Sequence, residues 1–492
     1  MITSTRSLLI FSVFVLIFVA ALNPIVDPDF WWHLKTGQLI SQTHSIPHAD
    51  IFSYTRLGSK WVAHEWLSEL FIYKVFALSG FAGLIVVFAS LITASFWITY
   101  RRYRKQVSSP IVAGFALVLG AAATTPVWGV RPQMFTFLFA SIFLCVLDSF
   151  YRNQSKRAIW WLVPLTILWA NMHAGFLLGL ALIAITIVGL VLDAFFFTSD
   201  SRDILQQRVL PLFGLLLCCA FAGSLNPNGF RLYWYPIETV TTPIFMRVVE
   251  EWKSPDFHQP SLQPVLLLLI ATFSILALSN KRVRLSELLM LSVTTVAALR
   301  TGRNIGFFSL VATPLFAEHL DNWLTSQRWA VRIMRPKDIN PKRGSSGTVV
   351  LSSLIIVLAI TLSILGIKRT AAKQAEIELE QFPSALVTFM LAQRLPQPIY
   401  NEYDWGGYLI WRLYPSYQVY IDGRADVYGG QLVEEFIQVH DVKPGWQEVL
   451  KERGIRTVLV EVNSALASLL REKSDWKKVF ENKQAVIFVR PQ

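Results

Sequence analysis

The stretch Asp27-Pro28-Asp29-Phe30-Trp31-Trp32-His33 places two carboxylates and an imidazole among aromatic side chains, directly after the apolar segment Leu8 to Leu22. Apolar segments long enough to cross a bilayer recur along most of the remaining chain. Hydrophobic residues make up 53% of the 492 positions and charged residues only 16%. These patterns exclude a water-soluble protein and predict an α-helical polytopic membrane protein with a candidate site in its first polar loop.

Basic loops orient the predicted spans, because short loops rich in Lys and Arg stay cytoplasmic. We read the first apolar segment as a retained helix, since no convincing small-residue cleavage site precedes the acidic stretch. The orientation then puts the N-terminus inside and the tail outside. The basic loops are Arg101 to Lys105, Arg152 to Arg157, Arg202 to Arg208, Lys281 to Arg284 and Arg328 to Arg343. The predicted spans lie near residues 7–22, 78–99, 110–125, 133–150, 158–170, 175–196, 209–223, 263–279, 285–299, 304–320 and 348–367.

The net charge of +12 reflects these anchoring loops, which contact membrane lipids, so it does not indicate nucleic-acid binding. The three cysteines fall within predicted spans and offer no disulfide framework. The sequence thus predicts a transmembrane domain over residues 1–367, with a first outer loop at 23–77. A helical connector at 368–395 and an extracytoplasmic domain at 396–492 follow.

The tail domain changes its hydrophobic period from that of the spans. Short β-rich runs over Pro398 to Tyr403, Gln418 to Asp422, Thr457 to Val462 and Ala485 to Val489 alternate with helical stretches. This alternation predicts an α/β domain with a mainly parallel sheet.

Two glycine-containing loops follow predicted strands in this domain, Asp404-Trp405-Gly406-Gly407-Tyr408 and Asp422-Gly423-Arg424-Ala425-Asp426. Acids and an arginine at strand ends are typical of a ligand crevice, and glycines allow close backbone approach. The alternative is a pair of turns closed by Asp side chains and an Asp–Arg ion pair.

In the first loop, Asp27 and Asp29 are close enough to bind one hard cation, Mg²⁺ or Mn²⁺, or to manage a proton between them. A helix over Phe30 to Ile40 would put His33 one turn from its start, near both acids. The alternative is an interfacial aromatic belt capped by an aspartate.

A second polar group in the same loop begins an amphipathic helix, Trp61-Val-Ala-His64-Glu65-Trp66-Leu-Ser-Glu69. His64 and Glu65 could complete a metal or acid–base site with the aspartates, although adjacent residues cannot share one helical face. The paired histidines of a zinc metalloprotease motif do not occur at this segment.

Further candidates lie in other predicted outer loops. Asn171 and His173 interrupt an apolar hairpin, where polar groups are costly unless they face a cavity or partner. Arg131, Arg300 and Arg303 are suited to bind a phosphate or pyrophosphate, with contact to lipid headgroups as the alternative.

The assembly resembles the GT-C superfamily of polytopic glycosyltransferases, which use polyprenyl-phosphate-linked sugars at the outer membrane face. Asp27-Pro28-Asp29 occupies the place of their first-loop acidic motif. Tyr403 to Tyr408, followed by Gln418 to Asp422, resembles the tryptophan-aspartate-tyrosine-glycine region of oligosaccharyltransferase catalytic subunits. Glu402-Tyr403 stands where those subunits have tandem tryptophans, so the resemblance does not extend to transfer onto an asparagine sequon. As a whole the chain is most similar to uncharacterised bacterial members.

The predicted spans number eleven, and the resemblance implies an inverting transfer of sugar to an acceptor outside a bacterial plasma membrane. It implies catalytic roles for Asp27, Asp29 and Glu65, and a metal held by Asp27, Asp29 and His33. The residues expected to bind substrate are His64, Arg131, Asn171, His173, Arg300, Arg303, Asp404, Trp405, Asp422 and Arg424. A non-catalytic envelope-polysaccharide assembly or receptor protein remains the alternative, whereas a transporter would need more polar midplane groups.

Overall fold

The computed structural model describes residues 5–152, 154–197, 204–245, 249–327, 329 and 346–491. Arg202 and nearly all of the predicted basic loop from Arg328 to Arg343 lie outside these residues. The chain divides into two compact units. The first, here the helical unit, comprises Met1–Asn23, Ile85–Phe230 and Glu250–Arg369. The second, here the mixed unit, comprises Pro24–Leu84, Arg231–Val249 and Thr370–Gln492. The linear division at residues 367 and 395 stays a prediction.

Long apolar helices dominate the first three quarters of the chain. Among the described residues, seven helices are long and apolar enough to cross a membrane. Each of the eleven predicted spans overlaps a helix, but the count of eleven spans is not confirmed. The helices are α1 (Thr5–Ala20), α2 (Phe30–Thr43), α3 (Trp66–Tyr103), α4 (Pro110–Thr124), α5 (Gln133–Tyr151), α6 (Leu162–Met172), α7 (Phe176–Phe197), α8 (Leu210–Ala222), α9 (Arg231–Thr241), α10 (Gln263–Leu278), α11 (Leu285–Arg300), α12 (Ile305–Ser326) and α13 (Ser346–Gln381).

Small residues allow close packing in the helical unit. A Cβ atom at Gly120 on α4 would stand 2.1 Å from Thr313 Oγ1 on α12, so only glycine permits this approach. Ser309 Oγ donates a hydrogen bond to the Gly120 carbonyl at 2.7 Å. Such contacts stabilise helix pairs where lipid offers no hydrophobic driving force.

The tail carries the remaining elements and confirms the expected combination of helices and a small sheet. The helices are α14 (Ser384–Gln393), α15 (Gly406–Leu413), α16 (Ala425–His440), α17 (Trp446–Glu452) and α18 (Ala465–Glu472). The strands are β1 (Ile399–Asn401), β2 (Thr457–Glu461), β3 (Lys477–Glu481) and β4 (Ala485–Val489).

The predicted mainly parallel sheet is wrong. The strand order is β1-β2-β4-β3, and only the β1–β2 pair is parallel. β3 and β4 are joined by three residues, too few for the crossover that parallel strands require, so they form an antiparallel hairpin. The sequence reading missed β3.

Gln418 to Asp422 is not a strand of this sheet, contrary to prediction. Val419 N–H donates to the Phe52 carbonyl at 3.0 Å, and Tyr54 N–H donates to the Val419 carbonyl at 3.2 Å. The run is therefore extended but pairs with the first loop, a partner more than 300 residues away.

The two glycine-containing segments also differ from the predicted loops. Tyr403–Trp405 forms one turn of 3-10 helix that leads directly into α15, which begins at Gly406. Arg424 immediately precedes α16. Both motifs thus stand at the starts of helices.

Candidate active site

The acidic stretch of the first loop leads directly into helix α2, the helix expected over Phe30 to Ile40. Asp27 Oδ1 accepts the Asp29 backbone N–H at 3.1 Å. Asp29 precedes the first helical residue, and its Oδ1 accepts the indole N–H of Trp32 at 3.1 Å. Both carboxylates are therefore positioned at a helix start, where the helix dipole favours negative charge.

Two glycines of the tail lie against this stretch within the mixed unit. A Cβ atom at Gly407 would stand 2.5 Å from the Pro28 carbonyl oxygen. A Cβ atom at Gly423 would stand 1.6 Å from Asp29 Oδ1, closer than any side chain could approach. Glycine at these positions lets the tail motifs contact the acidic stretch directly.

The two predicted binding residues of the first tail motif differ in exposure. The Trp405 side chain is buried in the core, whereas Asp404 reaches solvent. Partial burial, followed by the negative charges of Glu461 and Asp27, raises the pKa of Asp404. Within the first tail motif, Asp404 is thus the residue whose charge interacts with a first-loop acid, Asp27.

Asp422 and Arg424 form the ion pair that the alternative reading expected. Arg424 Nε and Nη2 donate to the two Asp422 carboxylate oxygens at 2.8 and 2.6 Å. Arg424 Nη1 lies 2.8 Å from Asp50 Oδ1, and all three side chains have no exposed surface. The guanidinium also lies over the rings of Phe52 and Trp61. This burial favours a structural role over substrate contact.

A second acidic group surrounds His33. His33 Nδ1 lies 3.2 Å from Glu69 Oε1 and 3.6 Å from Glu65 Oε2. Glu65 and Glu69 are four residues apart at the start of α3, a spacing that puts them on one side of the helix. Burial alone would lower the pKa of His33, but the charges of Glu65 and Glu69 outweigh it and raise the pKa.

His64 extends this group toward α9 and α16. Its Nε2 lies 3.5 Å from Glu65 Oε1, and its ring centroid lies 4.6 Å from that of Tyr235. Burial opposes protonation of His64, but Glu65 and Asp426 raise its pKa to about 9. Burial also raises the pKa of Asp426, against the effects of His64 and of a hydrogen bond from Tyr235. His64 and Glu65 thus contact each other, and the site that they were expected to complete with Asp27 and Asp29 stays a prediction.

Asn171 and His173 lie in the helical unit, where they stabilise the break between α6 and α7. Asn171 Nδ2 donates to the carbonyls of Ile167 and Leu225 at 2.8 and 2.9 Å. His173 Nδ1 accepts the Gly175 N–H at 2.8 Å and lies 2.9 Å from Thr136 Oγ1. These contacts give both side chains a structural role, and their predicted substrate binding stays a prediction.

The three predicted phosphate-binding arginines also belong to the helical unit. Arg131 Nη1 donates to Glu251 Oε2 at 2.6 Å. Arg303 lies over the Trp252 ring, with 5.6 Å between its guanidinium carbon and the ring centroid. Arg300 has an exposed side chain. The acidic partner of Arg131 was not visible from sequence proximity, since it is 120 residues away.

Sequence reading missed Glu69, Asp50, Tyr235 and Asp426 as members of these groups. The signal for Glu69 was present in the four-residue spacing from Glu65. Asp426 lay within a quoted motif, but its proximity to His64 depends on tertiary structure. Among the described residues, the ligand atoms of His33, Glu65 and Glu69 all lie within 4.8 Å of one another. Metal binding by Asp27 and Asp29 stays a prediction.

Comparison with known proteins gives a likeness in structure. No family model matches the sequence, and no curated relative matches it. The apo oligosaccharyltransferase of Archaeoglobus fulgidus is similar, with 12% identity, a TM-score of 0.54 and coverage of 93% of this chain and 69% of that one. The same enzyme tethered to an acceptor peptide containing an NVT sequon matches with 12% identity, a TM-score of 0.54 and coverage of 98% and 74%. ArnT from Cupriavidus metallidurans bound to undecaprenyl phosphate has 13% identity and a TM-score of 0.48, covering 98% and 99%.

The oligosaccharyltransferase likeness extends over nearly the whole of this chain, and at this identity it defines the fold alone. It agrees with the apolar helices and the small C-terminal sheet described above. The chain is thus an integral membrane protein with a GT-C-like fold.

Proposed function

We propose that this protein is a membrane glycosyltransferase that transfers a sugar from a polyprenyl-phosphate-linked donor to an acceptor at the extracytoplasmic face. The observation that carries the proposal is the position of Asp29, at the start of α2 and against the backbone of Gly423, in a chain with a GT-C-like fold. Gly407 and Gly423 of the tail lie directly against the acidic stretch of the first loop within the mixed unit. The oligosaccharyltransferase name of the similar structure supports sugar transfer as the reaction class.

The proposed reaction is a displacement at the anomeric carbon. An acceptor hydroxyl oxygen forms a bond to that carbon while the bond to the phosphate oxygen breaks, and the polyprenyl phosphate leaves with the electron pair. The hydroxyl proton passes to a first-loop carboxylate, which we assign to Asp29, with inversion of configuration. A base within hydrogen-bond reach contributes about 10²–10⁴-fold to such a reaction.

The other first-loop groups support this base. Asp27 shapes the backbone through its hydrogen bond from Asp29 N–H, and Glu65 connects the two histidines of the neighbouring group. Carboxylate oxygens suit Mg²⁺ or Mn²⁺, so Asp27 and Asp29 are the proposed ligands of such an ion. When bound, it would supply positive charge for orienting the substrates and stabilising the leaving phosphate.

Binding of the donor phosphate by Arg131, Arg300 and Arg303 is a separate part of the proposal. Arginine recognises phosphate through two parallel hydrogen bonds. In Arg131 the Glu251 carboxylate occupies one such face, so a phosphate must compete with it. Substitution of Arg303 by Lys keeps the charge and removes the planar fork, and is expected to raise KM for the donor more than it lowers kcat.

The test is a transfer assay in proteoliposomes with a panel of polyprenyl-phosphate sugars, with and without Mn²⁺. The Asp29→Asn protein should lose transfer by about 100-fold or more, since an amide cannot accept the proton. Asp475→Asn is the matched control, because Asp475 lies at the surface in a pair with Arg490 and contacts none of the groups above.

Equal transfer by Asp27→Ala and Asp29→Ala proteins would refute the assignment of different roles to the two acids. Absence of transfer with every donor, together with normal function of Asp29→Asn in cells, would instead favour a non-catalytic protein of envelope-polysaccharide assembly.

A further inference from the structure

The group of His33, Glu65 and Glu69 buries two carboxylates around one imidazole. His33 is 5% exposed, Glu65 9% and Glu69 1%. His64, with Nε2 at 3.5 Å from Glu65 Oε1, can balance the charge of Glu65. Among the described residues the Glu69 carboxylate faces only His33, and burying a carboxylate beside a neutral imidazole costs several kcal/mol, so a cation at this position would stabilise the group.

One carboxylate oxygen in the group lacks a partner. Glu69 Oε2 is buried and accepts no hydrogen bond from any residue that the structure describes. Glu69 Oε1 accounts for the contact with His33 at 3.2 Å. An unsatisfied buried carboxylate oxygen costs about 1–3 kcal/mol or more. The orphaned oxygen therefore indicates a ligand at this group.

The spacing of the three side chains fits a metal ion. Zinc–nitrogen and zinc–oxygen bonds of about 2.0–2.2 Å at tetrahedral angles put neighbouring ligand atoms about 3.3 Å apart. His33 Nδ1 lies 3.2 Å from Glu69 Oε1 and 3.6 Å from Glu65 Oε2. The three ligand atoms all lie within 4.8 Å of one another. Small side-chain rotations would complete the triangle.

Two of the three ligands lie on helices. His33 projects from α2, and Glu69 from the first turn of α3, with Glu65 directly before it. Sites built on helices hold ligands more precisely than sites on loops. The Glu65 side chain keeps 11% of its surface exposed, which gives an ion access from solvent.

We propose that His33, Glu65 and Glu69 form a binding site for a divalent first-row transition metal, Zn²⁺ or Mn²⁺, separate from the Asp27–Asp29 pair. An imidazole nitrogen among the ligands favours these metals over Mg²⁺. The two glutamates neutralise the ion, and binding of the ion by both carboxylate oxygens of Glu69 gives Oε2 the partner that it lacks. Three protein ligands leave a coordination position for water or another small ligand. This site is additional to the proposed transferase chemistry and does not depend on it.

The first test uses the wild-type protein, purified in detergent without chelator and equilibrated with Zn²⁺ or Mn²⁺. Elemental analysis after removal of unbound metal should find at least one ion per chain, and about one in the Asp27→Asn protein, which lacks a ligand of the aspartate pair. X-ray absorption of the zinc form should show one imidazole nitrogen with carboxylate oxygens in the inner coordination sphere. Absence of retained metal, or a shell with more than one imidazole or with sulfur, would overturn the proposal.

Variants then separate this site from the Asp27–Asp29 pair. Glu69→Gln and Glu65→Gln should weaken metal binding by more than the 10–100-fold that loss of an outer-shell partner costs. Asp27→Asn and Asp29→Asn should retain the metal. Glu402→Gln is the matched control, since it also neutralises a buried glutamate of the mixed unit.

Retention of metal by Glu69→Gln with loss from Asp27→Asn would assign the ion to the aspartates and overturn the proposal. If Glu69→Gln does not fold, the coordination measured on the wild-type protein decides alone. Metal bound at His33 without any sugar transfer would leave this site standing while the transferase proposal fails.

Discussion

Two buried charge groups of the mixed unit differ in how completely their partners satisfy them. In the Arg424 group, each oxygen of Asp50 and Asp422 has a donor or an arginine nitrogen within 3.2 Å. In the His33 group, Glu69 Oε2 has none among the described residues. Both groups are buried, so burial alone does not separate them. What separates them is whether every carboxylate oxygen has a partner. In the Arg424 group each oxygen has one, although Arg424 Nη1 meets Asp50 as an ion pair without hydrogen-bond geometry. This difference indicates structure in the first case and a ligand in the second.

The same two groups differ in how visible they are in the sequence. Asp422-Gly423-Arg424-Ala425-Asp426 has the composition of a ligand crevice, yet its arginine and first aspartate are buried in an ion pair. Glu69 attracts little attention in sequence, yet it carries the orphaned oxygen. The residue types in a motif therefore predict that charged side chains contact each other. Whether such a group is structural or binds a ligand depends on how many hydrogen-bond partners the folded chain supplies.

Substitution of Arg424 should have the largest effect on the stability of the folded protein. Arg424→Ala leaves Asp50 and Asp422 buried without their counter-charge, a loss that typically costs about 3–5 kcal/mol. We expect a strongly lowered thermal unfolding temperature, or failure to accumulate folded protein. Arg412→Ala is the control, because Arg412 is partly exposed in its pair with Glu378 and should cost at most about 1 kcal/mol. Similar losses for both variants would contradict the structural role of Arg424.

The next largest effect is expected from added metal, which should stabilise the folded protein through the His33 group but not through the Arg424 group. For the wild-type protein, a divalent metal at 100 times its Kd should stabilise the folded state by about 2.7 kcal/mol. Glu69→Gln should show no such gain, because it removes a ligand. Without metal it should be at least as stable as wild type, since a buried carboxylate is lost. The measurement is thermal unfolding with and without Zn²⁺. Equal stabilisation of both proteins by the metal would contradict a metal site at Glu69.

Gly423 connects the complete group to Asp29, so substitution there should affect transfer. The added Cβ of Gly423→Ala would stand 1.6 Å from Asp29 Oδ1, and the carboxylate must move. We expect transfer to fall by about tenfold, since displacements near 1 Å disturb catalytic geometry. Gly430→Ala provides the control, because its Cβ would meet atoms at ordinary distances of 3.5 and 3.7 Å. Equal rates for the two variants would show that Asp29 is not positioned by this contact.

Much of the helical architecture was predictable, because span-length apolar segments carry a strong local signal. The helix after Asp29 and the GT-C-like fold were confirmed as expected. The orientation of the termini stays a prediction. What failed was long-range: Gln418 to Asp422 has strand-like composition, but Phe52 in the first loop supplies its partner. Propensity identifies an extended segment without identifying what it pairs with.

The same limit applies to the candidate site. Asp27, Asp29, His33, His64 and Glu65 were identified because polar groups beside apolar segments are conspicuous. Glu69, four residues after Glu65, lies at the start of α3, and the sequence indicates for it only a place in an amphipathic helix. Its proximity to His33 arises from the packing of α2 beside α3, which local patterns do not encode. Whether every oxygen of a buried carboxylate has a hydrogen-bond partner is visible only in the folded chain.

The smallest expected effect concerns a third buried acid, Glu402. Burial raises its pKa to about 7, against the lowering effect of His440, and Glu461 and Asp404 add further negative charge. Between the ordinary glutamate pKa and about 7, the folded protein therefore holds a proton that the unfolded chain has released. Stability must then fall as pH rises through this window.

Glu402→Gln removes this titration, so its unfolding temperature should depend less on pH between about pH 5 and about pH 8. We expect the difference from wild type to reach the order of 1 kcal/mol at the upper end, in favour of the variant. Glu452→Gln is the matched control, since Glu452 is an exposed glutamate at the end of α17. A wild-type pH profile as flat as that of Glu402→Gln would mean that Glu402 stays ionised, with His440 protonated beside it. In that event Glu402 would belong with the complete charge groups such as that of Arg424.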